Sequence, residues 1–361
     1  MPLPDSVDAS LARAESIVVS HTSVDHGPID LHVVTLGPSG APLISHGAPL
    51  ISHGAPLISH GAPLILCVHG WPENWYSWRH QMTHFAALGY RVAAMDVRGY
   101  GQSSRPEAIG AYTITELAGD VAAVINQLSS DGTAILFGHD WGAPIVWNTA
   151  RLHPEAVRAV AGMSVPYSPA SAGDPMELWE LLYAEKFFYM RYFHEPGVAE
   201  AAFGEDLALA LRKVYFAGSG DSPVELWTGD QPKDIPFLDF LIDPDPAPAW
   251  MNAAEMTAIT DVHGDGPTHG WFNRYRAQGL DGAQIEPVGE PMLAQPTCFI
   301  AGENDIVRHF VPGMDLFADP GASMADYRGT TLVDSVGHWV QQEAPEATNA
   351  ALEAFVAAVL D

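Results

Sequence analysis

Gly138-His139-Asp140-Trp141-Gly142 decides how the rest of the chain is read. Before it, Ala134-Ile135-Leu136-Phe137 reads as a short buried strand, and after it Ala143 to Leu152 reads as a helix, so the five residues form the turn between them. A sharp strand-to-helix turn brings backbone segments too close for Cβ atoms and often demands φ > 0, which accounts for the flanking glycines. Asp140 then stands at the carboxyl end of a strand. The free N–H groups and dipole of the following helix favour an anion there and keep it ionised. A carboxylate held this way is a nucleophile toward carbon.

The chain around this turn has 361 residues, 47% of them hydrophobic, enough to bury a large core in one α/β domain or in a domain with a cap. With 16 basic against 44 acidic residues the formal charge is −28, which repels nucleic acid and anionic membranes and excludes both as partners. Cys67 and Cys298 each lie inside an apolar run, which points to buried free thiols rather than a disulfide. Residues such as Pro2, Pro4, Asp5 and Asp8 give no signal-peptide pattern, and no run approaches about 18 apolar residues, so a soluble, cytoplasmic enzyme is expected.

In chain order, residues 16 to 36 alternate apolar and polar about His26-Gly27-Pro28 and predict a hairpin, Ser16 to Ser20 with Ile29 to Leu36. Ala-Pro-Leu-Ile-Ser-His-Gly then occurs three times, at 41 to 47, 48 to 54 and 55 to 61, and a fourth copy starts at Ala62 before diverging at Leu66. Pro and Gly in every copy exclude a coiled coil, and three short copies bury too little for a solenoid. The spacing of His46, His53 and His60 matches no usual metal-ligand pattern, so the reading is a tandem duplication in a surface connection.

Strands are predicted at Pro63 to Val68, Val92 to Met95 and Val157 to Ser164, with a helix over Ile114 to Leu128, and this alternation implies a mostly parallel sheet covered by helices on both faces. Ligands bind such sheets at the carboxyl ends of the strands. From about 168 to 288 the pattern changes to aromatic-rich helical stretches such as Met176 to Phe193 and Glu205 to Phe216, broken by Asp243-Pro-Asp-Pro-Ala-Pro248; this reads as a helical cap inserted between core strands. Strands resume at Thr297 to Ala301 and near Thr331 to Val333. They run into Gly302-Glu303-Asn304-Asp305 and Gly337-His338-Trp339. The order Asp140, Asp305, His338 is that of a nucleophile, an orienting acid and a general base, with Glu303 as a competing acid expected in solvent.

The segments His69-Gly-Trp-Pro-Glu-Asn-Trp-Tyr-Ser-Trp78, Asp96-Val-Arg-Gly-Tyr-Gly-Gln-Ser-Ser104, Gly138-His-Asp-Trp-Gly142 and Gly337-His-Trp-Val-Gln-Gln-Glu343 together resemble a soluble epoxide hydrolase of the α/β-hydrolase fold. The resemblance spans nearly the whole chain after residue 16, apart from the repeats. It implies a core of residues 1–167 and 289–361, with 41–61 inserted, and a cap of 168–288. It also implies a two-step reaction in which Asp140 opens the epoxide to a hydroxyalkyl ester and water activated by His338 and Asp305 hydrolyses that ester to a vicinal diol. The ester's oxyanion would be held by the backbone N–H groups of Trp71 and Trp141, and His69, Pro72 and Trp339 would line the substrate pocket. Two cap tyrosines would donate to the opening ring. By local match they fall on Tyr192, within Tyr192-Phe-His-Glu-Pro-Gly, and on Tyr275, within Gly270-Trp-Phe-Asn-Arg-Tyr-Arg276, where Trp271 replaces the family's proline. No cofactor and no metal are implied; the partners are a hydrophobic epoxide and water, and the protein a monomer or homodimer. A haloalkane dehalogenase shares the Asp nucleophile but needs N–H donors for a halide rather than phenols. A catalytically inactive binding protein on the same fold is the alternative of another class, and the intact Asp140, Asp305 and His338 argue against it.

Overall fold

The computed structural model describes residues 17–38, 63–169, 174–223, 225–228, 231–285 and 291–361. The three repeats lie outside these residues. Eight strands form one sheet in the order β1-β2-β4-β3-β5-β6-β7-β8. β1 (Ile17–His26) and β2 (Ile29–Pro38) make the expected hairpin, and β2 joins the sheet antiparallel to β4 (Arg91–Met95). From β4 onward every pairing is parallel: β3 (Leu64–Val68), β5 (Ala134–His139), β6 (Val157–Met163), β7 (Leu293–Gly302) and β8 (Met324–Val333). β3 and β5 are buried along their whole length, as central parallel strands covered on both faces must be. Their apolar runs are therefore continuous rather than alternating.

The helices that cover the sheet include α1 (Arg79–Ala87), α2 (Ile114–Leu128) and α3 (Gly142–Leu152). α2 buries Leu117, Val121, Val124, Ile125 and Leu128, the apolar stripe that its sequence predicts. Cys67 and Cys298 are both free and buried. Between β6 and β7 the chain is helical: α4 (Pro175–Leu182), α5 (Tyr189–His194), α6 (Val198–Glu205), α7 (Leu207–Gly218), the short α8 (Glu225–Thr228), α9 (Ala253–His263), α10 (His269–Arg276) and α11 (Gln278–Ile285). This is the inserted cap. The chain closes with α12 (Val340–Glu343) and α13 (Pro345–Leu360).

Several predicted elements change. β1 runs on to His26 where Ser20 is expected to end it, and β7 starts at Leu293 rather than Thr297. Met176 to Phe193 is two helices, because Phe187 N–H bonds to Gln231 O (3.0 Å) and Lys186 bridges to Pro232, which pulls the main chain out of helical register. Glu205 ends α6 instead of opening α7, whose start is set by Asp206 accepting the Leu209 N–H at 2.9 Å. β8 is a 10-residue strand where only Thr331 to Val333 is expected; it is an edge strand, mostly exposed, and so lacks the apolar run that marks a buried one. Among the described residues, no helix is long and apolar enough to cross a membrane.

Candidate active site

The turn after β5 is as tight as its sequence demands, but the glycines and the aspartate divide the work differently. The positive φ falls on Asp140 itself, at 49°, a left-handed conformation that costs a non-glycine residue roughly 1 to 3 kcal/mol and that Asp tolerates better than most. The glycines answer to close approach. A Cβ on Gly138 would sit 2.4 Å from Gly142 O, and one on Gly142 only 2.0 Å from Val68 O at the end of β3.

That proximity brings the loop after β3 against the elbow. Trp71 N–H donates to Asp140 Oδ1 at 2.7 Å, and a Cβ on Gly70 would lie 2.3 Å from the same oxygen and 2.6 Å from Trp141 N. On the other side His338 Nε2 lies 3.2 Å from Asp140 Oδ2, while His338 Nδ1 donates to Asp305 Oδ1 at 2.9 Å. Asp305 is fully buried and Glu303 is exposed, so the acid in contact with the imidazole is Asp305.

Burial penalises the charge on each of these groups, yet their mutual contacts prevail. Burial alone would raise the Asp140 carboxyl; the hydrogen bond and charge of His338, the charge of His139 and the Trp71 N–H outweigh it and hold Asp140 below the usual carboxylate range. Burial likewise opposes a charge on His338, but Asp305 and Asp140 push it well above the ordinary histidine value. The site therefore favours the imidazolium form of His338, in which both ring nitrogens donate.

A model of the α/β hydrolase fold family matches residues 63–213. Epoxide hydrolase A of Mycobacterium tuberculosis is 37% identical over 343 residues, covering 92% of this chain and 96% of that one. The chain belongs to the epoxide hydrolases. Epoxide hydrolase B of the same organism is 33% identical over 81% of this chain and 90% of its own length. Among solved structures, epoxide hydrolase A from Mycobacterium thermoresistibile superposes with a TM-score of 0.79 at 36% identity, covering 94% of this chain and 98% of that one. An epoxide hydrolase from an endophytic Streptomyces reaches 0.82 at 31%, covering 96% and 97%.

Of the site residues that the epoxide hydrolase resemblance implies, some share one cavity and others do not. Asp140, His338, Trp71, Tyr275 and Trp339 line one cavity, closed by the apolar side chains of Val214, Ile306, Val307 and Phe310. Tyr275 is there despite Trp271 in the proline position; Trp271 instead stacks on Tyr100 at 5.6 Å, packing α10 onto the loop after β4. Tyr192 is not there. The second phenol in the cavity is Tyr189, one turn earlier on α5 and hydrogen-bonded to Tyr275. Three residues along a helix is about 300° of rotation and about 4.5 Å of rise, enough to carry Tyr192 off the cavity to a hydrogen bond with the Phe237 main chain. Burial raises both Tyr189 and Tyr275 well above the usual phenol value, so both keep their protons.

His69 and Pro72 do not line the cavity either. His69 is fully buried with Nε2 accepting the Val97 N–H at 2.9 Å and Nδ1 donating to Gly70 O at 2.8 Å, which ties the β3 loop to the β4 loop. Burial lowers its pKa, in keeping with the neutral ring that this pattern requires. Pro72 offers its carbonyl to His263 Nε2 at 3.0 Å, a tie between core and cap.

Behind the site lies a buried network absent from the sequence reading. Glu73 Oε2 is 2.7 Å from His139 Nδ1, and Glu73 Oε1 accepts from Gln341 Nε2 and Gln342 Nε2, each at 2.9 Å. His139 Nε2 reaches His338 O at 2.7 Å. Every member sits inside one of three motifs quoted above, and nothing in a linear sequence says that those three converge. Among the described residues, no group of three or more His, Cys, Asp or Glu is placed to hold a metal ion.

Proposed function

We propose that the protein converts epoxides to vicinal diols through a covalent ester on Asp140. Asp140 Oδ attacks a ring carbon, the C–O bond breaks, and the alkoxide takes a proton or a strong hydrogen bond from the phenols of Tyr189 and Tyr275. Esterification removes the Asp140 charge, one of the two that stabilise the imidazolium. His338 then gives up its proton more easily, which replaces the one the phenols passed to the alkoxide, and the neutral ring, oriented by Asp305, serves as base toward a water. Hydroxide adds to the ester carbonyl, the oxyanion meets the N–H groups of Trp71 and Trp141, and collapse releases the diol and restores the carboxylate.

The single observation that carries this reading is the pair of buried, protonated phenols in the same apolar cavity as the ionised Asp140. A halide leaves without a proton and has no use for the two protonated phenols that face Asp140 here. The apolar lining favours a hydrophobic epoxide as substrate. One turnover in heavy-oxygen water with enzyme in excess should give diol without label, because the oxygen delivered first comes from Asp140. Label in that first diol would mean that water attacks the ring and would rule out the ester.

A further inference from the structure

His338 is held by its main chain as much as by its ring. Its N–H donates to Gly218 O in the cap (2.7 Å), and its carbonyl accepts from Ser164 Oγ (2.8 Å) and faces His139 Nε2. The residues on either side of it share one acceptor. Glu343 Oε2 takes the Gly337 N–H at 3.1 Å and Oε1 takes the Trp339 N–H at 3.0 Å. The same Oε2 takes the N–H of Gly220 at 2.8 Å, two residues beyond the end of α7 in the cap. Glu343 would be an ordinary helix cap if it bonded only Trp339, which precedes α12. A cap explains neither Gly337 nor Gly220.

The seam that this carboxylate closes is packed to backbone contact. A Cβ on Gly337 would come within 2.3 Å of Gly220 N, and one on Gly220 within 2.2 Å of Ser335 O. Small displacements there move His338 directly. We propose that Glu343 is a positioning residue for ester hydrolysis, its carboxylate fixing the main chain on both sides of His338 and fastening that loop to the cap at Gly220. The proposal rests on the reading of His338 as the base in the second step.

The ionisation of Glu343 supplies the readout. Burial pushes its pKa up to about 7, Asp305 adds to this, and the three N–H groups oppose it. Around it, Asp305 follows β7 and His338 stands on the same loop; Glu73 and Arg79 hold Gln342 of α12, Glu346 opens α13, and Asp221 follows Gly220 in the cap. Of these, Asp305 is the carboxylate that acts on it. The ionised carboxylate can accept all three N–H groups; the protonated one turns an oxygen into a donor facing donors. Hydrolysis should accordingly speed up as pH rises through about 7.

The experiment is a single-turnover study of the full chain with a panel of aryl and alkyl epoxides, following formation and decay of the Asp140 ester separately from pH 5.5 to 9. In Glu343→Gln, ester formation should stay within about threefold of the parent, while decay slows by about 10- to 100-fold, the scale of an ångström-sized misplacement. The parent's decay should show two ionisations, those of His338 and Glu343, and the Gln variant one. Glu343→Asp keeps the charge on a shorter arm, so it should restore the second ionisation with a smaller loss of rate; it stands in if the Gln variant does not fold. Both half-reactions falling together with an unchanged pH profile, or decay at the parental rate, would overturn the proposal. A parent that makes diol without ever carrying the ester would instead overturn the reading beneath it.

Discussion

At the scale of single residues, the two steps should come apart by mutation. His338→Gln leaves Asp140 with its Trp71 N–H donor but no base, so the variant should alkylate itself with epoxide and stop. A general base contributes about 10²- to 10⁴-fold, enough for the adduct to accumulate and be seen by intact-protein mass spectrometry. An inactive variant of unchanged mass would count against the division of labour. The tyrosines give the complementary test. Tyr189→Phe and Tyr275→Phe should each slow alkylation by about 10- to 10³-fold, in the range for loss of an oxyanion donor. Tyr192→Phe should leave alkylation within about twofold, since its phenol bonds the Phe237 main chain away from the cavity. Stopped-flow tryptophan fluorescence with the three variants decides between Tyr189 and Tyr192. The choice was not legible in sequence because both phenols lie within one helical turn, and only the direction in which α5 faces separates them.

At the scale of elements, the elbow is held by steric exclusion, and helix propensity gives the wrong sign for it. Gly142 opens α3, where Ala is intrinsically preferred to Gly by about 1 kcal/mol. Its Cβ would nevertheless stand 2.0 Å from the Val68 carbonyl, a backbone atom that cannot swing aside. Gly142→Ala should therefore destabilise the protein by about 2 kcal/mol or more in urea denaturation and cost activity as β3 and α3 separate. Gly204, exposed in α6 with nothing within 4 Å of the added Cβ, is the control: Gly204→Ala should gain about 0.5 to 1 kcal/mol. The two glycines look alike in the sequence. Their opposite signs come from the neighbour that packing supplies.

At the scale of the whole molecule, the sheet's polarity places both ends of the connection that carries the repeats at the edge opposite the chemistry. β2 runs antiparallel to β4, with Leu36 opposite Val92 and Val33 opposite Met95, so its end at Pro38 lies at the amino edge of the parallel strands. β3 starts from that same edge at Leu64 and reaches the site only after Val68, about 16 Å further on. The connection that contains Ala41 to Gly61 is therefore anchored at both ends on the side opposite Asp140. Deleting those three units should leave kcat/KM within a few-fold and the protein folded, because loop-closure entropy changes slowly with length. A folded deletion variant without epoxide hydrolysis would show that the repeats reach the site.

The sequence by itself determined the alternation of core strands and helices, the insertion of a helical cap and the candidate set Asp140, Asp305 and His338, because each is written locally: buried parallel strands as continuous apolar runs, the elbow as paired glycines, the candidate residues at strand ends. Tertiary structure alone decided which phenol enters the cavity, why His69 and Pro72 turn away from it, and how Glu73, His139, Gln341, Gln342 and Glu343 support His338. These depend on the facing of a six-residue helix and on contacts between segments up to 269 positions apart, and neither leaves a period or a spacing in the chain.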